Sequence, residues 1–340
     1  MNYDVEFNSG AFYPAAGTVQ LAQIAEDKGF DAVWKGESNS TDPLVLLSAM
    51  AARTQRIKLG TAIYHIYGRS PVTLGIQAAT LQDLSEGRLL LGLGVANQPI
   101  ASWHAGTFDK PIRRIREYAD IVRQVATGER TEYHGEIYET SAFKLSWRPS
   151  YPHVPIFFAG LGEQMTRLAG RQADGVVVNM ANPPMIREIV KRVSQGATDA
   201  GRDPSQLEYV IKVRVCMNAD REKAKAKLKQ VLTFYMLAGG EGEGYNALFT
   251  SMGFGDEARG VREAYEKGGF RAGQAAIPDT MLDGDANRPP VPMVAATSIE
   301  EVRDRLAPYT EAGATRLVIP YVPTTDDAVA ESRQFLESWR

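Results

Sequence analysis

The amino-acid sequence predicts an α/β fold, a single (β/α)₈ TIM barrel that takes up all of residues 1–340. Eight apolar, strand-like runs alternate with helix-like runs along the chain. Several of these runs are apolar throughout, which is typical of parallel strands that are covered on both faces. The first turn, residues 8–12, lacks the glycine spacing of a doubly wound nucleotide-binding fold. Together these observations favour the barrel.

The predicted strands are residues 3–9, 32–37, 57–64, 89–93, 155–159, 176–178, 209–217 and 317–322. Between them the sequence predicts helices at residues 18–28, 112–126, 183–196, 220–237 and 326–339, and a short helix that begins near Glu163. Two further helices begin with a capping residue followed by proline, at Asp42 and at Ser70. Ser298 and Glu301 form a capping box at the start of another.

Residues 239–297 depart most from this alternation. They are rich in glycine and proline, and only residues 257–267 have a weak helical pattern. We expect this stretch to be the largest insertion in the barrel, and to serve as a lid or as part of the substrate pocket.

Composition excludes several classes of protein. The chain is 44% hydrophobic and 23% charged with a net charge of −3, which is ordinary for a globular protein and makes nucleic acid an unexpected partner. The single cysteine, Cys216, excludes internal disulfides, and the four histidines are not spaced as metal ligands, so no metal site is predicted. No stretch approaches 18 apolar residues and no leader is seen, so we expect a cytoplasmic protein without membrane contact.

Active residues of a barrel lie at the carboxyl ends of its strands. Glu6 lies in the carboxyl-terminal half of the predicted first strand, and its neighbours Val5 and Phe7 have the opposite parity, so its carboxylate is predicted to face the barrel interior. An acid–base role and a structural ion pair with Lys35 remain equally open. His65 and His104 follow the third and fourth strands and could line the pocket, although a lone histidine is more often structural.

The glycine turn at residues 160–162 precedes a helix that begins near Glu163. Free N–H groups and the positive end of the helix dipole suit an anion, most simply a cofactor phosphate. The alternative is an ordinary strand-to-helix turn in which glycine serves only the geometry.

Several motifs resemble one known superfamily. Leu84-Ser85-Glu86-Gly87-Arg88 followed by LLLGLG resembles the LS-x-GR…LG-x-G signature of bacterial luciferase-like flavin- and deazaflavin-dependent oxidoreductases. FFAGLGEQMTRLAGRQADGVVVN, residues 157–179, resembles the cofactor-phosphate segment of that superfamily, and residues 297–320 resemble its terminal motif. The resemblance covers nearly the whole chain in order, apart from residues 239–297.

The resemblance implies a barrel that binds FMN or coenzyme F420, usually as a homodimer. Ala62–Ile63 falls where the superfamily has a non-prolyl cis peptide behind the ring, and Glu37 falls at the polar edge of the ring. By position, the cofactor-binding residues are Glu37, Ala62, Ile63, Gly94 and Asn97 near the ring, and Ala159, Gly160, Leu161, Gly162 and Asn179 at the phosphate.

Two positions depart from the superfamily pattern. Ser38 replaces the usual histidine after the second strand, and Val95 replaces the glutamate of the sugar-phosphate dehydrogenase branch. These replacements argue against glucose 6-phosphate as substrate and leave the proton donor open between Glu6, His65 and His104. Glu6 matches a glutamate of the methylene-tetrahydromethanopterin reductase branch.

The resemblance therefore implies a reductase or dehydrogenase that moves a hydride between F420 and an unidentified small organic substrate. The alternative is an FMN-dependent monooxygenase that receives reduced flavin from a flavin reductase. A barrel that binds flavin without catalysis is a third possibility. The cofactor would supply the redox chemistry in the first two cases, and the protein would supply the positioning.

Overall fold

A computed structural model describes residues 2–7, 13–37, 39–238 and 244–339 of the chain. The predicted first turn and Ser38 lie outside these residues. In chain order the strands are β1 (Asn2–Glu6), β2 (Ala32–Lys35), β3 (Lys58–Thr61), β4 (Tyr64–His65), β5 (Leu89–Gly94), β6 (Thr131–His134), β7 (Glu139–Phe143), β8 (Ile156–Ala159), β9 (Gly175–Asn179), β10 (Glu208–Lys212), β11 (Arg214–Met217), β12 (Met293–Ala296) and β13 (Arg316–Pro320).

The helices are α1 (Ala15–Asp27), α2 (Pro43–Ala51), α3 (Pro71–Leu84), α4 (Gln98–Trp103), α5 (Pro111–Ala126), α6 (Glu163–Gln172), α7 (Pro183–Asp199), α8 (Arg221–Leu237), α9 (Gly244–Ser251), α10 (Gly255–Ala275), α11 (Thr280–Asp283), α12 (Ile299–Glu311) and α13 (Ala328–Ser338). None of the helices in the described ranges is long and apolar enough to cross a membrane.

Nine strands are hydrogen-bonded in the order β3-β2-β1-β13-β10-β9-β8-β5-β4, and β3 also pairs with β5, which closes the sheet. β4 continues the course of β3 beyond a cis peptide at Ala62–Ile63. The two segments occupy one strand position, so the nine strands form an eight-stranded barrel. The pairings are parallel, for example β1 with β13 and β8 with β9. The predicted (β/α)₈ barrel is thereby confirmed.

Close strand packing explains one glycine of β5. A Cβ atom on Gly92 would lie 2.0 Å from the carbonyl oxygen of Thr61, so only glycine fits between β5 and β3. All six residues of β5 are buried, as expected for a strand covered on both faces.

The predicted helix starts are also present. The side chains of Asp42, Ser70 and Ser298 each accept a first-turn main-chain N–H of the helix that follows. The carboxylate of Glu301 accepts the N–H of Thr297 at 2.9 Å, one residue before the position that the capping box predicts.

One predicted strand was wrong, and a hairpin and much of the helical structure of residues 239–297 were not predicted. The seventh strand, predicted as residues 209–217, is two strands: β10 lies in the barrel, and β11 pairs instead with β12. The two separate at Val213, whose N–H donates to Val318 O at 3.0 Å. Residues 95–154 contain an antiparallel hairpin, β6 and β7, that was not predicted. The described part of residues 239–297 forms α9, α10, α11 and β12, so it is mainly helical.

The chain divides into two compact units. Unit 1 comprises Met1–Pro14, Val178–Glu188 and Ile211–Arg340, and unit 2 comprises Ala15–Val177 and Ile189–Val210. In unit 1, Tyr321 stacks on Phe335 at 4.5 Å between ring centroids; in unit 2, Trp34 meets Phe157 edge to face at 6.0 Å. The single-domain boundary of residues 1–340 stays a prediction.

Candidate active site

Glu37, just beyond β2 in unit 2, is a buried carboxylate among charged neighbours. Its side chain is 7% exposed, and it accepts the main-chain N–H of His65 at 3.0 Å and Nη1 of Arg69 at 3.1 Å. Arg69 also pairs with Asp42. Burial raises the pKa of Glu37, although the His65 N–H and the Arg69 guanidinium oppose this effect. Glu37 therefore takes up a proton more readily than an ordinary glutamate.

His65 lies against Glu37 and His104. Its Nδ1 accepts the N–H of Tyr67 at 3.3 Å, which assigns the proton of the neutral ring to Nε2. Nε2 lies 3.2 Å from Glu37 Oε2 and 3.1 Å from Nε2 of His104, which is exposed. Burial first, and then His104 and Arg69, lower the pKa of His65 to about 4. The ring is therefore neutral at pH 7 and donates from Nε2.

The Ala62–Ile63 bond is a cis peptide, at the position that the superfamily resemblance indicated. Ala62 N donates to Lys35 O at 3.1 Å, and Glu37 N donates to Ile63 O at 2.8 Å, so both residues are tied to the end of β2. A Cβ on Gly94 would lie 2.7 Å from Ile63 Cδ1, so the Ile63 side chain covers this glycine. The backbone of Glu37 and the Ala62–Ile63 peptide are thus fixed to each other.

Asn97 caps α4 in the same unit. Its side-chain oxygen accepts the N–H of Ile100 at 3.1 Å. This bond occupies the amide oxygen, and the amide hydrogens remain for any contact with a ligand.

The glycine turn before α6 has two different glycines. A Cβ on Gly160 would lie 2.3 Å from Met165 Cγ, so this position is packed, whereas a Cβ on Gly162 would meet nothing within 4 Å. Gly162 is the N-cap of α6, and no side chain caps the first-turn N–H groups. Ala159 ends β8 and Leu161 is half-buried. Uncapped first-turn N–H groups, with open space at the N-cap residue, suit an anion.

Glu6, in unit 1, is buried at 3% exposure and faces Lys212 at the end of β10. Lys212 Nζ lies 2.7 Å from Glu6 Oε2. Oε2 has no hydrogen-bond partner in the described part of the chain, so we describe this contact as an ion pair. The sequence analysis considered Lys35 and missed Lys212.

Asn179, also in unit 1, belongs to a polar group that we call the Arg214 cluster: Asn179, Arg214, Tyr235 and Tyr245. Arg214 Nη1 donates to Asn179 Oδ1 at 2.8 Å, and Asn179 Nδ2 donates to the Tyr245 hydroxyl at 2.7 Å. Arg214 Nη2 donates to the Tyr235 hydroxyl. Asn179 is therefore held from both ends of its amide.

Unit 2 brings together the predicted residues Glu37, Ala62, Ile63, His65, Gly94 and His104, while Glu6 and Asn179 belong to unit 1. Sequence reasoning missed Arg69, Lys212 and Arg214. A signal for the last two was present, because they are the only charged residues within the apolar run YVIKVRVCM. Buried cations in a strand need anionic partners or ligands.

A sequence profile described as luciferase-like monooxygenase matches residues 6–316. The chain is 28% identical over 302 residues to the 5,10-methylenetetrahydromethanopterin reductase of Archaeoglobus fulgidus, covering 87% of this chain and 86% of that one. It is 30% identical over 328 residues to a Mycobacterium tuberculosis protein provisionally named a coenzyme F420-dependent oxidoreductase, covering 90% and 91%. The solved F420-dependent tetrahydromethanopterin reductase of Methanopyrus kandleri superposes with a TM-score of 0.82 at 22% identity, covering 99% and 97%.

Proposed function

The chain belongs to the luciferase-like monooxygenase family and is an oxidoreductase of the flavin- and deazaflavin-dependent kind, and we propose that it moves a hydride between coenzyme F420 and a small organic substrate. Support for F420 comes from the relatives, one of which carries F420 in its name. When bound, the deazaflavin supplies or accepts the hydride.

The observation that carries the proposal is the buried carboxyl of Glu37, a residue whose main-chain N–H donates to Ile63 O at 2.8 Å. Glu37 has a raised pKa and a neutral histidine beside it, so it can accept or donate a hydrogen bond at the polar edge of a flavin-like ring. Ile63 and Gly94 would form the wall next to the ring.

The turn before α6 fits the phosphate of such a cofactor. The first-turn N–H groups of α6 are uncapped, and the space over Gly162 is open. Gly160 contributes differently, because its missing side chain makes room for Met165.

Side chains of this protein would transfer the protons and donate the hydrogen bonds that the reaction needs. Glu6 is a buried carboxyl paired with Lys212, and in the proposed reaction it would exchange a proton with the substrate. His65 would remain neutral and would donate a hydrogen bond from Nε2. His104 is exposed and would connect His65 to solvent.

Fluorescence titrations with F420 and with FMN test the cofactor. We expect tighter binding of F420, followed by hydride transfer from reduced F420 without oxygen uptake. An FMN dissociation constant tenfold below that of F420, about 1.4 kcal/mol in the opposite direction, would overturn the proposal. Oxygen consumption by the protein with reduced FMN would instead support the monooxygenase alternative.

A further inference from the structure

Arg214 is a buried cation for which the described part of the chain supplies no carboxylate. Its side chain is 3% exposed, and its Nε has no hydrogen-bond partner in those residues. Other buried cations of unit 1 do face carboxylates: Lys212 faces Glu6, Lys225 faces Asp279 and Asp283, and Arg316 faces Asp4. A buried guanidinium without an anion is costly. Unit 1 thus has a positive charge that the anionic group of a ligand would compensate.

Arg214 also begins two chains of hydrogen bonds, and each ends on a tyrosine hydroxyl. One chain runs through Asn179 to Tyr245, and the other runs directly to Tyr235. Each phenol oxygen is the acceptor in these bonds, so its own hydrogen remains to be donated. Neither hydroxyl has an acceptor among the residues that the structure describes.

The two hydroxyls belong to adjacent rings. The ring centroids of Tyr235 and Tyr245 are 4.8 Å apart with an interplanar angle of 84°, and the Arg214 guanidinium carbon lies 4.6 Å from the Tyr235 centroid. Both tyrosines are half-buried, so part of each residue faces solvent. Burial first, and then Tyr235, raise the pKa of Tyr245 to about 12, so this hydroxyl keeps its proton at neutral pH. A hydroxyl that accepts a hydrogen bond from a network with a cation at its start is a stronger hydrogen-bond donor than an isolated hydroxyl.

We propose that Tyr235 and Tyr245, with Arg214 as their buried charge, bind an oxyanion, a carboxylate or phosphate group of the small molecule that this enzyme takes up. Asn179 keeps one amide hydrogen after its bond to Tyr245 and adds a third donor. The inference rests on the proposed function in one respect, the molecule that carries the anion. That molecule is either the substrate or the cofactor, through its phosphate.

Anion binding by the protein without cofactor tests the site itself. Inorganic phosphate and acetate are titrated separately at constant ionic strength, and binding is followed by near-ultraviolet circular dichroism of the tyrosines. Tyr235→Phe and Tyr245→Phe each remove one hydroxyl and keep the ring. Tyr265→Phe, at an exposed tyrosine of α10 in the same unit, is the matched control.

We expect at least one anion to bind the parent and the control, and to bind each of the two test variants about tenfold more weakly. Equal binding by all four proteins, or no binding of either anion to the parent, would overturn the proposal. None of these titrations involves hydride transfer, so the proposal can fail or hold independently of the redox function.

Cofactors with and without their phosphate distinguish the two sources of the anion. F420 is compared with its phosphate-free deazaflavin, and FMN with riboflavin. If the tyrosines bind the cofactor phosphate, both test variants lose about tenfold in affinity for the phosphorylated cofactor and nothing for the phosphate-free form. If cofactor affinities stay parental while phosphate or acetate binding falls, the site takes an anionic substrate.

Discussion

Glu37 and His65 are joined through both the main chain and the side chain of the histidine. Glu37 Oε2 accepts the His65 N–H at 3.0 Å and lies 3.2 Å from His65 Nε2. Burial raises the pKa of the carboxyl and lowers that of the imidazole to about 4. Burial thus favours the neutral form of both partners, in contrast to a charged carboxylate–imidazolium pair.

His65 should make the protein less stable between pH 7 and pH 5. Its folded-state pKa of about 4 lies below the ordinary histidine value of about 6.5, so in this window the unfolded chain binds a proton that the folded chain does not. Stability is complete above about pH 6.5 and is lost towards pH 4. We expect a loss of about 1–2 kcal/mol at pH 5 after allowance for solvent screening. Urea unfolding at the two pH values measures it.

His65→Gln should remove this loss, whereas His153→Gln, at an exposed histidine of the same unit, should retain it. Glu37 acts in the opposite direction, because its raised pKa makes the folded chain bind more protons above about pH 4.5. Glu37→Gln should therefore make the loss of stability between pH 7 and pH 5 larger. A His65→Gln variant with the parental pH dependence would contradict the burial of a neutral imidazole.

Much of the barrel could be predicted because its signals are local. Apolar runs, Asp42 and Ser70 before prolines, and Gly313 after a helix are read from a few consecutive residues. The break between β10 and β11 could not be read, because apolar residues continue through Val213 and the change of partner depends on β12, some 80 residues later. The extent of helix α10 was underestimated because its five glycines lower helix propensity, and packing against α8 overrides this effect.

The sequence predicted at which strand ends the candidate residues lie, but it predicted their side-chain partners less well. Strand ends identified Glu6, Glu37 and His65, since the carboxyl ends of barrel strands meet at one rim. The partner of Glu6 depends on which distant strand places a cation beside it, and Lys212 is 206 positions away in the chain (212 − 6). Periodicity carries no information about such pairs. The roles of these residues in binding and catalysis remain predictions.

Gly162→Val should weaken binding of a phosphorylated cofactor and leave the fold intact. The added side chain enters open space at the N-cap of α6, and the φ of −74° at Gly162 suits any residue. We expect about a tenfold or larger loss of affinity for F420 or FMN and an unchanged affinity for riboflavin. Isothermal titration calorimetry measures both, with the melting temperature as the control for folding.

Gly160→Val is a poorer test of the same idea. Its Cβ would lie 2.3 Å from Met165 Cγ, so overpacking would lower stability whether or not phosphate binds there. If Gly162→Val melts normally and binds FMN as well as the parent does, the phosphate lies elsewhere.

Glu117→Gln should destabilise the β6–β7 hairpin. The buried carboxylate accepts three N–H groups of the turn, from Glu136 at 3.1 Å, Ile137 at 2.9 Å and Tyr138 at 3.1 Å. An amide offers one acceptor oxygen and sets its NH₂ group against the remaining donors. We expect a loss of about 2–4 kcal/mol in the free energy of unfolding. Glu132→Gln, on an exposed position of β6, should cost almost nothing by comparison.

The same hairpin contact should depend on pH. Burial would raise the pKa of Glu117, but the N–H groups of Ile137, Tyr138 and Glu136 outweigh it and lower the pKa. A carboxyl with a depressed pKa stabilises the fold above its ordinary pKa of about 4.5, and this contribution is lost as the pH falls below that value. Parent and Glu117→Gln should therefore converge in stability below about pH 4. Parallel stability curves down to that pH would count against the contact.

Variants of the Glu6–Lys212 pair can distinguish a catalytic role of Glu6 from a structural one. Glu6→Gln removes the transferable proton, and it also removes the carboxylate that the buried Lys212 ammonium faces. Breaking a buried pair in this way costs about 3–5 kcal/mol of stability, which alone would lower activity. The single variant is therefore ambiguous. Glu6→Gln combined with Lys212→Met removes both charges and keeps similar volumes.

We expect the double variant to recover most of the stability lost in Glu6→Gln, because no charge is left unpaired. If Glu6 is the proton donor, single-turnover hydride transfer should stay about 10²–10⁴-fold below the parent even in the stable double variant. Lys212→Met alone retains the carboxyl and should lose less activity than either protein that lacks it. A double variant that is both stable and close to parental in turnover would show that Glu6 serves the architecture of the barrel and not the transfer of protons.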